Sequence, residues 1–185
     1  MAETGEKRPW PPVHDGAQLA TAIKQLARGL PKDFYLTSFT DLEPCQGDVL
    51  TLDAEVPVIG ADADAVALER TQHWLVIANT CDVSRAYEED GDVEYIPVVP
   101  LFPASDLDED IVQNAQDYLL TRLFYLPPWS AQIDAHIANF TCPVSMHRDA
   151  VRNHAKIVAW MCLESWVLLN ASLVRTLCRE DRRNV

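Results

Sequence analysis

Apolar residues along this chain gather in short runs whose spacing changes from one run to the next. Between Asp48 and Ile59, DVLTLDAEVPVI alternates strongly, the two-residue period of a half-buried strand, and it follows the turn signal Pro44-Cys45-Gln46-Gly47. Pro57 cannot donate to a ladder, which marks that strand as an edge or a bulged one. Trp74, Leu75, Val76, Ile77 and Ala78 do not alternate at all, so His73 to Ala78 reads as a central strand covered on both faces. It stops on the polar tetrad Asn79-Thr80-Cys81-Asp82, which it delivers to the rim of a sheet. After an acidic turn at Tyr87 to Asp92, Val93 to Phe102 (VEYIPVVPLF) returns as a strand, expected to lie antiparallel beside the His73 strand. Weaker strand signals cover Asp33 to Phe39 and Ala135 to Cys142.

Helical spacing appears at Leu19, Ile23 and Leu26, with Asp15 as the cap and Gly29 followed by Leu30-Pro31 as the stop. A second helix is expected to begin at Ser105. Asp106, Asp108, Glu109 and Asp110 sit in its first turn, where acids offset the helix dipole, and Ile111, Ala115, Tyr118, Leu119 and Arg122 continue it until Phe124 to Trp129, where Pro127-Pro128 ends any helix. GADADAVALE, Gly60 to Glu69, reads as a mobile loop or short helix. The C-terminal region fits one long helix from about Asp149, or a strand at Lys156 to Met161 followed by a helix from Glu164 to Arg179. The β-rich KIVAWM and the later rhythm of Trp166, Leu169, Leu173 and Leu177 favour the second. The expected fold is α+β: a small, strongly bent antiparallel sheet with N-terminal and C-terminal helices. Residues 1–14 read as a mobile leader, 15–180 as a single domain and 181–185 as a basic tail.

Charge narrows the function. The chain has 185 residues and a formal net charge of -13, so its surface repels phosphate backbones and a nucleic-acid partner is disfavoured. Ser145 to Val185 holds seven Lys/Arg against four acids, a balance of +3, which leaves -16 on the rest, where 8 basic residues face 24 acidic ones. That asymmetry suits a protein partner with a basic face. There is no apolar leader segment and no window reaching the roughly 18 apolar residues of a membrane span, so a cytoplasmic protein with no membrane contact is expected. Five cysteines, Cys45, Cys81, Cys142, Cys162 and Cys178, fit neither a disulfide framework nor a paired zinc motif.

Gly47-Asp48-Val49 opening a strand, a long loop, the apolar LVIAN and then VEYIPVVPLF together resemble the PemK/MazF-type toxins, which the resemblance implies share a compact SH3-like barrel. It spans Gly47 to Pro103. A closer resemblance is to uncharacterised bacterial proteins with a strand-terminal Thr/Ser-Cys-Asp triplet, matched by Thr80-Cys81-Asp82. In that group a proline-containing strand and a C-terminal strand-helix unit follow, here Val98-Val99-Pro100 and Lys156 to Arg179. Several members are similar to components found near mobile elements and defence islands. Toxins of the PemK/MazF type use a basic RNA groove with an Arg in the loop after the first strand. The corresponding segment here, Glu55 to Glu69, has no Arg or Lys, and Asp82 would repel a scissile phosphate.

Three chemistries compete at the tetrad. Cys81 is a candidate nucleophile, with Asp82 beside it, but His73 would lie roughly 26 Å away along an extended strand, and a neighbouring carboxylate raises rather than lowers a thiol pKa. A structural role has Asn79, Thr80 and Asp82 bonding the following turn. Ligand or partner contact through Asn79, Thr80, Cys81, Asp82 and Arg85 is the third. Elsewhere, His147 and His154 with Asp149 make a weak metal motif, Arg148 and Arg152 a weak anion site, and neither a metal nor any cofactor is expected. Trp74, Trp160 and Trp166 belong to apolar faces, while Trp10 and Trp129 flank prolines. The expected function is a non-enzymatic bacterial interaction protein, an antitoxin, immunity or phage-defence component binding a basic protein partner through its acidic face. A homodimer stays open. The alternatives are a cysteine-dependent enzyme centred on Cys81 and Asp82, a small-ligand or nucleotide sensor, or a degenerate PemK/MazF-type ribonuclease.

Overall fold

The computed structural model describes residues 16–30, 33–38, 43–88 and 92–177. The leader, Asp15, Trp10, His14, Cys178 and the basic tail lie outside them. Seven strands form one antiparallel sheet: β1 (Val49–Ile59), β2 (Ala65–Val76), β3 (Tyr95–Pro103), β4 (Leu123–Leu126), β5 (His136–Asn139), β6 (Val144–His147) and β7 (Lys156–Ala159). Their order is β4-β5-β3-β2-β1-β7, with β6 beside the first half of β3. Five helices accompany them: α1 (Gly16–Arg28), α2 (Thr80–Tyr87), α3 (Glu109–Gln116), α4 (Arg148–His154) and α5 (Leu163–Leu177). The result is a strongly curled half-barrel of α+β type, with helices at both ends of the chain, as the apolar spacing implied. No helix among the described residues is long and apolar enough to cross a membrane.

The run at Trp74 to Val76 explains why both faces of the sheet are covered. Leu75 points with Val49, Val99, Leu101 and Phe124 into one core, roofed by α1 through Leu19 and Ile23 and by α5 through Leu168, Leu169 and Ala171. Trp74 and Val76 point the other way with Leu50, Ile96, Val98 and Met146, and there Val83 and Ala86 of α2 and Val151 of α4 cover them. Gly47 sits where α5 meets the start of β1. Its φ is +94°, and a Cβ there would lie 3.3 Å from Met161 Sδ and 3.4 Å from Trp166, so only glycine fits both the backbone and the packing.

Several expected elements differ. Gly60 to Glu69 is neither loop nor helix throughout: a turn at 60–64, closed by Gly60 N–H to Asp64 O at 2.8 Å, leads into β2, which starts at Ala65. The pairing Val58↔Val66 and Ile59↔Ala65 with β1 imposes strand on a sequence that has no strand pattern of its own. Pro57 falls next to a register shift, as an edge proline should. Asp33 to Phe39 supplies only a bridge, Tyr35↔Met161, and Phe39 lies outside the described residues. The helix expected from Ser105 to Arg122 is a 3-10 turn at Ala104–Asp106, then α3, then β4. Tyr118 terminates α3 with φ 51°, its N–H bonding Ala115 O and Leu119 N–H bonding Asn114 O, a left-handed C-cap usually made by glycine. The strand expected over Ala135 to Cys142 is confined to His136–Asn139, whereas the C-terminal strand and helix stand as β7 and α5.

Candidate functional site

The tetrad does not end on a strand rim; it starts α2. Asn79 is the N-cap, and its Oδ1 accepts the Cys81 N–H at 2.9 Å. Thr80 faces back rather than forward: its Oγ1 accepts Gln46 N–H at 3.3 Å, while Gln46 Nε2 donates to Ile77 O at 3.1 Å. These bonds fasten the turn before β1 to the start of α2. Because α2 turns Val83 and Ala86 into the core, Asn79, Cys81, Asp82 and Arg85 are left on the outside. Cys81 therefore offers an exposed thiol, but no histidine reaches it among the described residues. His73, three residues before the end of β2, has its ring in another cluster, against Trp129 and His136. The tetrad's bonds are those of a capped helix.

Next to it lies Asp48, a residue that strand periodicity alone would pass over. It is 4% exposed, and its Oδ2 accepts the Cys45 N–H at 2.6 Å, closing the turn that also holds Gly47. Burial pushes this carboxyl up to about 7, and the single bond from Cys45 offsets only part of that cost. Asp48 is thus a buried acid about half protonated at neutral pH and largely protonated below it.

A cluster of polar and aromatic groups forms where β2 and β3 part. β3 pairs with β2 only from Val76↔Val98 to His73↔Leu101, then turns toward β5 through Phe102↔Ile137 and Pro103↔His136. A cleft of about 500 Å³ opens in the fork, lined by Asp53, Arg70, Thr71, Gln72, His73, Leu101, Phe102, Pro103 and His136. Thr71 Oγ1 donates to Leu101 O at 2.8 Å across its apex. The rings of His73 and His136 lie 5.0 Å apart, and Trp129 packs 5.1 Å from the first and 4.8 Å from the second. Burial lowers both imidazole pKa values; the neighbouring His136 deepens the effect at His73, while Asp134 and Asp106 oppose it at His136. A neutral His136 donates Nδ1–H to Asp134 O at 2.9 Å, which leaves Nε2 as its acceptor. At the mouth, Arg70 grips Asp53 by two bonds of 2.7 and 2.8 Å.

The expected weak motifs resolve simply. His147 is the N-cap of α4, its Nδ1 accepting Asp149 N–H at 3.2 Å, and His154 ends the same helix. Among the described residues no group of three His, Cys, Asp or Glu is arranged to hold a metal ion. Trp74 is buried, its Nε1 donating to Leu52 O at 2.7 Å, and Trp166 packs against the core under α5. The His73, His136 and Trp129 cluster was beyond sequence reasoning, since its members are 56 or more residues apart except for Trp129 and His136. Its one local signal was Pro127-Pro128, which stops β4 and carries Trp129 back across the sheet.

Exposed acids dominate the remaining surface. Ten acidic residues and no Lys or Arg lie between Ala86 and Thr121, and Asp106, Asp108, Glu109, Asp110 and Asp117 around α3 are all exposed. Between described residues the ion pairs are Arg70 with Asp53 and, when the imidazole is protonated, His147 with Asp149. No protein-family model matches the chain, and no curated protein matches it in sequence.

Proposed function

We propose that this chain is a non-enzymatic interaction protein of the cytoplasm that binds a basic protein partner through its acidic surface, as an antitoxin, immunity or defence component does. The observation that carries the reading is the band of exposed acids around α3, none of them paired to a cation among the described residues. Unpaired surface charge of one sign attracts a partner of the other and speeds its encounter. The tetrad supports this reading over a cysteine enzyme, because its polar atoms cap a helix and brace a turn instead of meeting a base.

The test is capture of partners by cross-linking at low and high salt, with Asp106→Lys, Asp108→Lys and Asp110→Lys combined as the variant. All three sites are exposed but lie at the start of α3, with Asp108 as its N-cap, so circular dichroism and thermal unfolding of the variant must first match the wild type. Capture of a basic protein that weakens at least tenfold between about 50 and 500 mM salt, and in the variant, supports the proposal. Capture indifferent to both would remove charge as the basis of recognition.

A further inference from the structure

We infer that the fork between β2 and β3 takes up one extended, basic segment of a protein partner as an added strand along β2. The inference rests on the proposed function and specifies where and in what form the partner docks.

β2 is longer than its neighbour. β3 pairs with it only from His73 to Val76, so Ala65–Gln72 has β1 on one side and no paired strand on the other among the described residues. Eight residues of extended chain span roughly 27 Å, enough for a short added strand. Such an edge is a template for another chain unless proline, lysine or a covering element blocks it. The opposite edge of the same ribbon is blocked by Pro57 in β1, with its register shift. Ala65–Gln72 contains no proline or lysine, and its arginine, Arg70, is held against Asp53 on β1. The last part of this edge, Arg70 to Gln72, lines an open cleft of about 500 Å³ whose far wall is Leu101 and Pro103, where β3 has already turned away. Space and unpaired backbone therefore coincide.

Charge selects the occupant. On the outward face of the ribbon Glu55 is exposed beside the Arg70–Asp53 pair, and Asp62 and Asp64 are exposed at its tip. Arg70 is the only cation of the ribbon, and Asp53 neutralises it. A second copy would bring the same acids into register and be repelled, whereas a segment with alternating Lys or Arg would place its main chain on β2 and its charges beside these acids. Main-chain bonds then supply affinity and the charges supply choice, as in other strand additions.

The probe is an acetylated, amidated (Lys-Val)5 peptide, added to the isotope-labelled full chain at about 50 mM salt and followed by amide chemical shifts. A second peptide of identical sequence and charge carries N-methyl groups on alternate residues along one edge. Two versions, methylated on either edge, cover both strand directions. Shifts concentrated at Ala65–Gln72 and Leu101–Pro103, with affinity reduced at least tenfold by one of the methylated versions, bear the inference out. Shifts confined to the acids around α3, with methylation having no effect, overturn the slot and leave the acidic-surface reading standing. Absence of binding up to millimolar peptide overturns the slot, and the salt-dependent capture above then judges the broader reading on its own.

Discussion

Replacing Asp48 with Asn should stabilise this protein, and the gain should depend on pH. The carboxyl is 4% exposed and receives one hydrogen bond, from Cys45 N–H, so ionising it strips a charge of water for a single compensating donor. Its folded pKa of about 7 stands against an ordinary value of 3.8. Between those two values the unfolded chain has released the proton and the native state has kept it, so native stability falls as pH rises from about 4 to about 7 and levels off above. At about 1.4 kcal/mol for each tenfold in proton affinity, the full cost is somewhat above 4 kcal/mol as a ceiling, and relaxation of the turn brings the expected figure to about 2 kcal/mol. Asn keeps an acceptor for Cys45 N–H and never ionises. The variant should therefore match the wild type near pH 4 and exceed it by about 2 kcal/mol at pH 8.

Urea denaturation from pH 4 to 8.5 measures this directly, as a rise in midpoint at unchanged slope. A variant destabilised equally at pH 4 and pH 8 would refute the reasoning. It would mean that the carboxylate is ionised in the native state and held by charge, so that Asn removes a favourable partner instead of an unfavourable charge.

Acid should act in the opposite sense through His73 and His136, whose folded pKa values burial holds below the ordinary 6.5: the stability that depends on their neutral rings is intact above about pH 6.5 and is lost as pH falls below it. His136→Gln should flatten that acid limb of the stability profile, and an unchanged limb would dissociate the cluster from it. Ala63 has φ 62° in the turn that joins β1 to β2, so Ala63→Gly should relieve left-handed strain and raise stability by up to about 1 kcal/mol in thermal unfolding, whereas a loss would show the turn to be unstrained. Iodoacetamide on the native protein should modify exposed Cys81 well before buried Cys162, as mapped by mass spectrometry; protection of Cys81 would mean that α2 is covered.

What could be read without coordinates was whatever local period decides. The alternation of β1, the two-sided burial of Trp74 to Val76 and the Leu19, Ile23 face of α1 all follow from spacing, and each packs as its spacing requires. α2 was illegible for a physical reason. Its eight residues, TCDVSRAY, have little helical propensity, and its capping Asn79 suits a turn equally well, so it is stabilised as a helix by Val83 and Ala86 seated on the sheet. α3 stops early because Tyr118, not glycine, takes the left-handed position. The tyrosine's own burial and its bond to Tyr125 O compensate for the strained backbone, and no composition rule anticipates that.

The same distinction separates the two candidate regions. At the tetrad every polar group was visible in the sequence, and the structure uses two of them, Asn79 to cap a helix and Thr80 to hold Gln46. At the fork hardly any group drew notice, because what makes it a site is a mismatch in length between β2 and β3. β2 continues to Ala65 because β1 pairs with it there, and β3 leaves at Leu101 because β5 draws it away. Two sets of satisfied pairings thus leave one unsatisfied edge between them, beside a cleft and on a ribbon whose exposed acids outnumber its one paired cation. Under the proposed function the acids around α3 would set which partners approach and the edge how one of them is held, so mutations in the two regions should alter association rate and residence time separately.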